Sequence, residues 1–389
     1  MKRSLIALAA VAAAAPATAQ SKLTLFGVAE AQVGQWRNLV AAPVSQTNPF
    51  GAAIERGRTR GLIPYGINAS RFGLRGVEDL GAGLAASIVL ENQFALDTGV
   101  PPARYFHRQA NVGLYGGFGQ IRMGRIYTAW NDIASNAATG YGDTYDPFVR
   151  VWRVAGPVPL GSPVPNAAGQ LTGLAGSVGT NNDPGNPQVW AHVRMDNSIR
   201  YDTPTMGGIT LSAQVQLDES IDGKQPQAQS YAALYVNGPI RAGVGYYTQH
   251  TRSFYNPVTG QYDAKAARSG KLETYTAAFN YDFGPVRLVS MAGQSRYDVF
   301  SLGKRITSTE WSVGAVVPVN AWALRFSVAG SNSNDLPGRD WGAGAEALYN
   351  LSKRSALYGA YSYSKYDELL AGQARRSSYI SALGIRHFF

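Results

Sequence analysis

The chain has 389 residues, no cysteine, and 35 Lys and Arg against 25 Asp and Glu, a formal net charge of +10. The missing cysteines exclude a disulfide framework and a thiolate metal site. Past residue 19 no window is apolar for the roughly 18 residues of a membrane-spanning helix, which excludes a helical membrane protein but not a barrel, whose polar lumen face dilutes its apolar one.

The first element, 1–19, carries Lys2 and Arg3, an apolar run from Leu5 to Ala15, Pro16 and the small-residue site Ala17, Thr18, Ala19. This is the pattern of a cleaved signal peptide, with a mature domain over 20–389. Strands are then predicted to rise from Leu23, Leu84, Gln120, Ile209, Arg241, Arg287, Ala323 and Leu357. Each is answered by a returning strand, near Asn68, Arg108, Ser198, Ser230, Leu272, Thr309, Trp341 and Ser378. The total of about sixteen is even, as a bacterial single-chain barrel requires.

Alternation is clear in several of these strands. In Ile209–Leu217 the odd positions are apolar and the even ones are Thr210, Ser212, Gln214 and Gln216. From Leu272 to Phe283 the residues Tyr275, Ala277, Phe279, Tyr281 and Phe283 share a face opposite Thr274, Thr276, Ala278, Asn280 and Asp282. Tyr379, Leu383, Ile385, His387 and Phe389 share another. Aromatic residues at strand ends suit a membrane interface.

Seven short turns, most of them rich in Gly, Pro or Asn, from Asp79–Gly83 to Lys353–Ser355, alternate with longer polar connections such as 37–67, 97–106 and 250–270. Short turns on one rim and long loops on the other are the outer-membrane arrangement. The longest connection, about 126–197, is crowded with Pro and Gly between Gly156 and Pro187, whereas its first part, Tyr141–Trp152, is aromatic enough to pack. The inner face of the barrel carries charge: Arg71 and Arg75 in the second strand, Glu91 in the third, Arg122 in the fifth. Such a face should be wet, and water inside with lipid outside makes a channel.

SRFGLRGVEDLGAGL (70–84), RQANVGLYGGFG (108–119), MGRIYTAW (123–130), NSIRYDTPTMGG (197–208) and GIRHFF (384–389) together resemble the Gram-negative general porins of the β-proteobacterial type. The resemblance runs from Leu23 to Phe389. It implies a sixteen-stranded trimeric barrel in the outer membrane, a third loop folded into the lumen, and passive diffusion of small hydrophilic solutes, often with anion preference. By motif, the wall arginines of the constriction would be Arg71, Arg125 and Arg200; alternation adds Arg75 and Arg122. The acidic partners on the loop would be Asp143 and Asp146, with Asp132 behind them. The terminal Phe389 would be the assembly signal read by the barrel-assembly machinery.

Other classes are weaker. His107, His192, His250 and His387 pair with no nucleophile, and no metal-ligand spacing, phosphate loop or nucleotide motif occurs, so no enzyme, cofactor or nucleic-acid partner is expected. A soluble secreted β-protein or adhesin shares the alternation but not the rim asymmetry. A channel selective for a particular anion or carboxylate, with a site at the inward loop, is the nearer alternative.

Overall fold

A computed structural model describes residues 21–37, 39–41, 53–55, 58–63, 66–99, 105–106, 108–136, 145–152, 163–165, 171–174, 194–217, 228–251, 254–256, 261–263, 270–299, 304–334, 339–366 and 376–389. The expected signal segment lies outside them. Sixteen antiparallel positions follow in chain order. They are β1 Ser21–Arg37, β2 Arg71–Gly81, β3 Leu84–Gln93, β4 Gln109–Gly116, β5 Gly119–Tyr127, β6 Arg194–Asp202, β7 Ile209–Gln216 and β8 Ala228–Asn237. The second half comprises β9 Ile240–Thr251, β10 Gly270–Asp282, β11 Arg287–Val299, β12 Lys304–Val319, β13 Trp322–Ser333, β14 Asp340–Asn350, β15 Ser355–Tyr366 and β16 Arg376–Phe388.

Every neighbour in sequence is a neighbour in the sheet, and β16 returns to pair with β1 from Val28–Phe388 to Arg37–Tyr379. That last pairing closes the sheet and removes its edges. The second position is built from two pieces on one edge of β1: Thr59–Ile63 pairs with Gln32–Trp36, and β2 pairs with Ser21–Val28. No helix among the described residues is long and apolar enough to cross a membrane.

The burial pattern is inverted relative to a water-soluble protein. On β7, Ile209, Leu211 and Val215 are exposed while Gln214 is buried; on β10, Tyr275 and Phe279 are exposed while Thr274, Thr276 and Asn280 are buried. Leu23 and Leu383 are 69% and 73% exposed. An apolar band running around the whole barrel cannot face water, so it faces lipid.

The short turns meet the geometry their sequences allow. Gly207 and Gly208 both sit at positive φ, 58° and 84°, in the β6–β7 turn, and Ala82 with Gly83 does the same between β2 and β3. Phe389 extends the closing pair: its backbone exchanges hydrogen bonds with Gly27 at 3.0 and 3.1 Å, and its ring lies over the space a side chain on Gly27 would fill.

Candidate functional site

The connection between β5 and β6 enters the lumen. It starts with α1, Ala129–Asn131, capped by the Thr128 hydroxyl, which accepts from the Asn131 N–H at 3.2 Å, and runs on as a π-helical turn, Asp132–Asn136. Polar side chains on the inner wall seat this segment. Gln214 Oε1 accepts from the Ala129 N–H at 3.2 Å, Ser230 Oγ from the Trp130 N–H at 2.8 Å, and Thr276 Oγ1 from the Trp130 indole N–H at 2.9 Å. Ile133 packs where Gly243 and Gly245 leave room.

A second described piece, 145–152, holds α2, Phe148–Val151, and rests on the wall of β11–β15. The Tyr145 hydroxyl donates to Gln32 Oε1 at 2.5 Å, the Trp152 indole N–H to the Trp311 carbonyl at 3.1 Å, and Ser331 Oγ to the Val151 carbonyl at 2.8 Å. Pro147 and Tyr145 lie against Gly342 and Gly344, where any Cβ would collide with them. The small and polar residues of the lumen face are therefore the seats of this segment.

Behind Tyr145 the wall is knotted by buried polar groups. The Tyr358 hydroxyl lies 2.6 Å from Glu30 Oε1 and 3.0 Å from Gln32 Oε1. Glu30 Oε2 accepts from the Asn68 N–H at 2.8 Å, and Ser70 bonds the Glu30 backbone in both senses, so the break in the second barrel position is tied to β1.

Across the lumen, on β2–β6, the charges gather in two groups. In the upper group Glu91 is held by Arg71 at 2.9 Å and by Arg108 at 3.1 Å, and accepts from Gln109 at 3.1 Å. Arg108 also donates to the Tyr127 hydroxyl at 2.6 Å and to Gln93 at 3.1 Å. Arg194 donates to the same hydroxyl at 2.8 Å, its guanidinium 4.6 Å from the Tyr127 ring centre. Among the described residues this group brings three arginines together around one carboxylate, on arginine side chains only partly buried. In the lower group Arg122 and Arg200 share Asp202 at 2.7 Å each, and Arg200 also pairs with Asp132.

The family model described as Gram-negative porin matches residues 5–369. This chain is a Gram-negative porin. Outer membrane porin protein 32 of Delftia acidovorans is 30% identical with all of both chains covered, and an outer membrane porin protein of Bordetella pertussis is 26% identical, also over both whole chains. Among solved structures, the anion-selective porin from Comamonas acidovorans superposes with a TM-score of 0.69 at 24% identity, covering 95% of this chain and 100% of that one. The trimer form of OmpT from Vibrio cholerae gives 0.60 at 13%, covering 95% and 99%. The porin is an outer-membrane protein, and its barrel forms a water-filled channel.

The residues expected from sequence fall differently within the porin. Arg71 is in the upper group. Arg75 is exposed in the lumen over the Phe26 ring, 5.1 Å from its centre. Arg122 joins the lower group. Arg125 is buried and pairs with Asp196 at 2.5 Å, beside a break in alternation formed by Gly124 at φ 126° and Asn197 at φ 47°. Arg200 is 3% exposed, donates to the Tyr127 carbonyl at 3.0 Å, and brackets the start of the inward segment. Asp132, ranked behind the other loop acids, is the one that meets Arg200. Asp146 is buried, and its Oδ1 accepts from the Phe148 N–H at 3.2 Å, capping α2; Asp143 lies outside the described residues. Sequence reasoning missed Arg108, Arg194, Tyr127, Asp196 and Asp202. The only signal for Arg108 was its position at the head of the RQANVGLYG motif.

Proposed function

We propose that this porin passes small hydrophilic solutes by diffusion with a preference for anions, through a constriction between the inward connection, about 126–197, and the β2–β6 wall. The wall would carry Arg71, Arg75, Arg122, Arg125 and Arg200, to which we add Arg108 and Arg194, and the loop side would carry Asp143 and Asp146. The observation that carries this reading is the upper group, three arginines about one carboxylate on the wall opposite the seats of the loop. A fixed positive excess beside a narrow aqueous path raises the local anion concentration and lowers that of cations. The name of the Comamonas protein points the same way.

We further propose a homotrimer, the form in which the Vibrio cholerae OmpT is described, and insertion by the barrel-assembly machinery through Phe389. Porins are channel proteins. The test is the reversal potential of the refolded protein in a planar bilayer under a KCl gradient. An anion-selective step conductance is expected. A cation preference would overturn the charge assignment, and absence of conductance from folded protein would overturn the channel.

A further inference from the structure

The wall that seats the inward segment carries charges of its own, lower down. Arg241, Arg287 and Arg325 are the second, first and fourth residues of β9, β11 and β13, strands that begin at the short-turn rim. All three are half-buried. Arg241 stands opposite Asn280 on β10, and Arg287 opposite Asp282. Arg287 also faces Val316 on β12, which faces Arg325.

The inward segment forms a roof over them. Gly243, which makes room for Ile133, is the next lumen-facing position above Arg241. Thr276, which holds the Trp130 indole, lies two lumen-facing positions above Asn280. Gly293, where an added side chain would run into the Trp152 ring, is on the strand of Arg287, and Ser331, which holds Val151, is on that of Arg325. A solute that clears the segment therefore meets these arginines next.

Their electrostatics are unbalanced. Arg325 pairs with Glu346 at 3.4 Å, and Asp282 at the rim faces Arg287, so among the described residues three cations stand by two carboxylates. The Arg287 Nε–H and the Asn280 Oδ1 are among the buried side-chain polar atoms with no hydrogen-bond partner among the described residues. Asn280 is 3% exposed, and turning its amide over presents an N–H2 to the same space. Adjacent strands are about 4.8 Å apart, so Arg287 and Arg325 are rooted roughly 10 Å from one another, within reach of one small molecule bridged by two long side chains.

We propose that Arg241, Arg287 and Arg325, with Asn280, form a second anion station beneath the inward segment, taking small multivalent oxyanions, that is, dicarboxylates or phosphate. Guanidinium forks donate pairs of parallel hydrogen bonds to carboxylate or phosphate oxygens, an advantage chloride cannot use. The station rests on the anion-preferring reading of the pore and extends it. Anions attracted at the Arg71–Arg108–Arg194 group would be received on the opposite wall nearer the exit, so that the two basic groups are staggered along the axis.

The test uses the refolded full chain in planar bilayers in symmetric KCl, with succinate, then inorganic phosphate, added to each side in turn. The expected result is a saturable fall in conductance when the anion enters from the short-turn side. Arg287→Gln with Arg325→Gln should raise the half-saturating concentration about tenfold. Arg287→Lys with Arg325→Lys, which keeps the charge but loses the fork, should fall between. Native barrel migration before and after heating checks folding, and Arg241→Gln alone provides a milder variant. Block by succinate only, by phosphate only, or by both supports the station and states its ligand. No saturable block, or the same half-saturation in the glutamine variants, overturns it. The reversal potential on the same bilayers separates the two readings: a cation-selective wild type refutes the anion preference, whereas an anion-selective one with unchanged block refutes only the station.

Discussion

The upper charge group makes a prediction with two opposite signs. Arg108→Gln removes one of three cations around Glu91, whereas Glu91→Gln removes the carboxylate that pairs with Arg71 and Arg108. A unit charge roughly 6 Å from the path is worth about 0.7 kcal/mol in water-like surroundings, and screening at 0.1 M salt reduces this by about half. Anions and cations are shifted in opposite directions, so the permeability ratio should change by about three- to tenfold for each unit of charge. Arg108→Gln should lower the anion-to-cation ratio by that factor, and Glu91→Gln should raise it. In Arg108→Gln the carboxylate keeps Arg71 and Gln109; in Glu91→Gln the arginines keep only neutral acceptors, the Ala69 carbonyl, Gln93 and the Tyr127 hydroxyl, so heat-modifiable migration must first show a folded barrel. The assay is the reversal potential under a KCl gradient, repeated at higher salt, where both effects should shrink together. If Glu91→Gln lowered the anion preference, or both variants moved the ratio in one direction, the group would not be acting on the path through its net charge.

Three further outcomes are expected. Deleting Phe389 removes both backbone hydrogen bonds to Gly27, and Gly27→Val drives a side chain into the Phe389 ring, so both should lower the yield of folded barrel by heat-modifiable migration, the valine without touching the C-terminus. Tyr358→Phe leaves Glu30 Oε1 without its 2.6 Å donor in a buried site, a cost of about 1–3 kcal/mol that should appear as a lower thermal midpoint; an unchanged midpoint would show the knot to be dispensable. Gly344→Ala places a methyl group against the Tyr145 carbonyl, so the inward segment should shift off its seat and single-channel conductance should change while the barrel still folds; identical conductance would refute the seating argument.

The barrel itself was legible because each strand repeats one message with period two, and the lipid and lumen faces demand opposite chemistry. Ile209–Leu217 and Leu272–Phe283 needed no tertiary information. Other features depended on contacts that alternation does not encode. Gly243, Gly245, Gly342 and Gly344 are merely small in sequence; only the folded chain shows that Ile133, Pro147 and Tyr145 occupy the space they leave. Arg108 precedes its strand and Arg194 begins one, so neither belonged to a run long enough to give its face. Past Gly124 and Asn197 the period fails, and Arg125 could not be placed by counting. The second barrel position looked like one strand with a long loop before it, because the Thr59–Ile63 piece is too short to show a period.

The seating of the inward segment divides the labour of the channel between its walls. The β7–β15 side gives its small and polar lumen positions to holding Trp130, Ile133, Tyr145 and Val151, which sets how much of the bore stays open. The upper arginines of the β2–β6 side instead share the partners Glu91 and Tyr127, residues of the strands themselves. The exception is Arg200, which touches Asp132 and the Tyr127 carbonyl and so couples the two walls at the root of the connection. Bore and charge preference should accordingly change independently under substitution at Gly344 and Arg108, which share no partner, and together under substitution at Arg200. The charges are fixed on ladder-bonded strands, and the inward segment is fixed by its seats on the opposite wall.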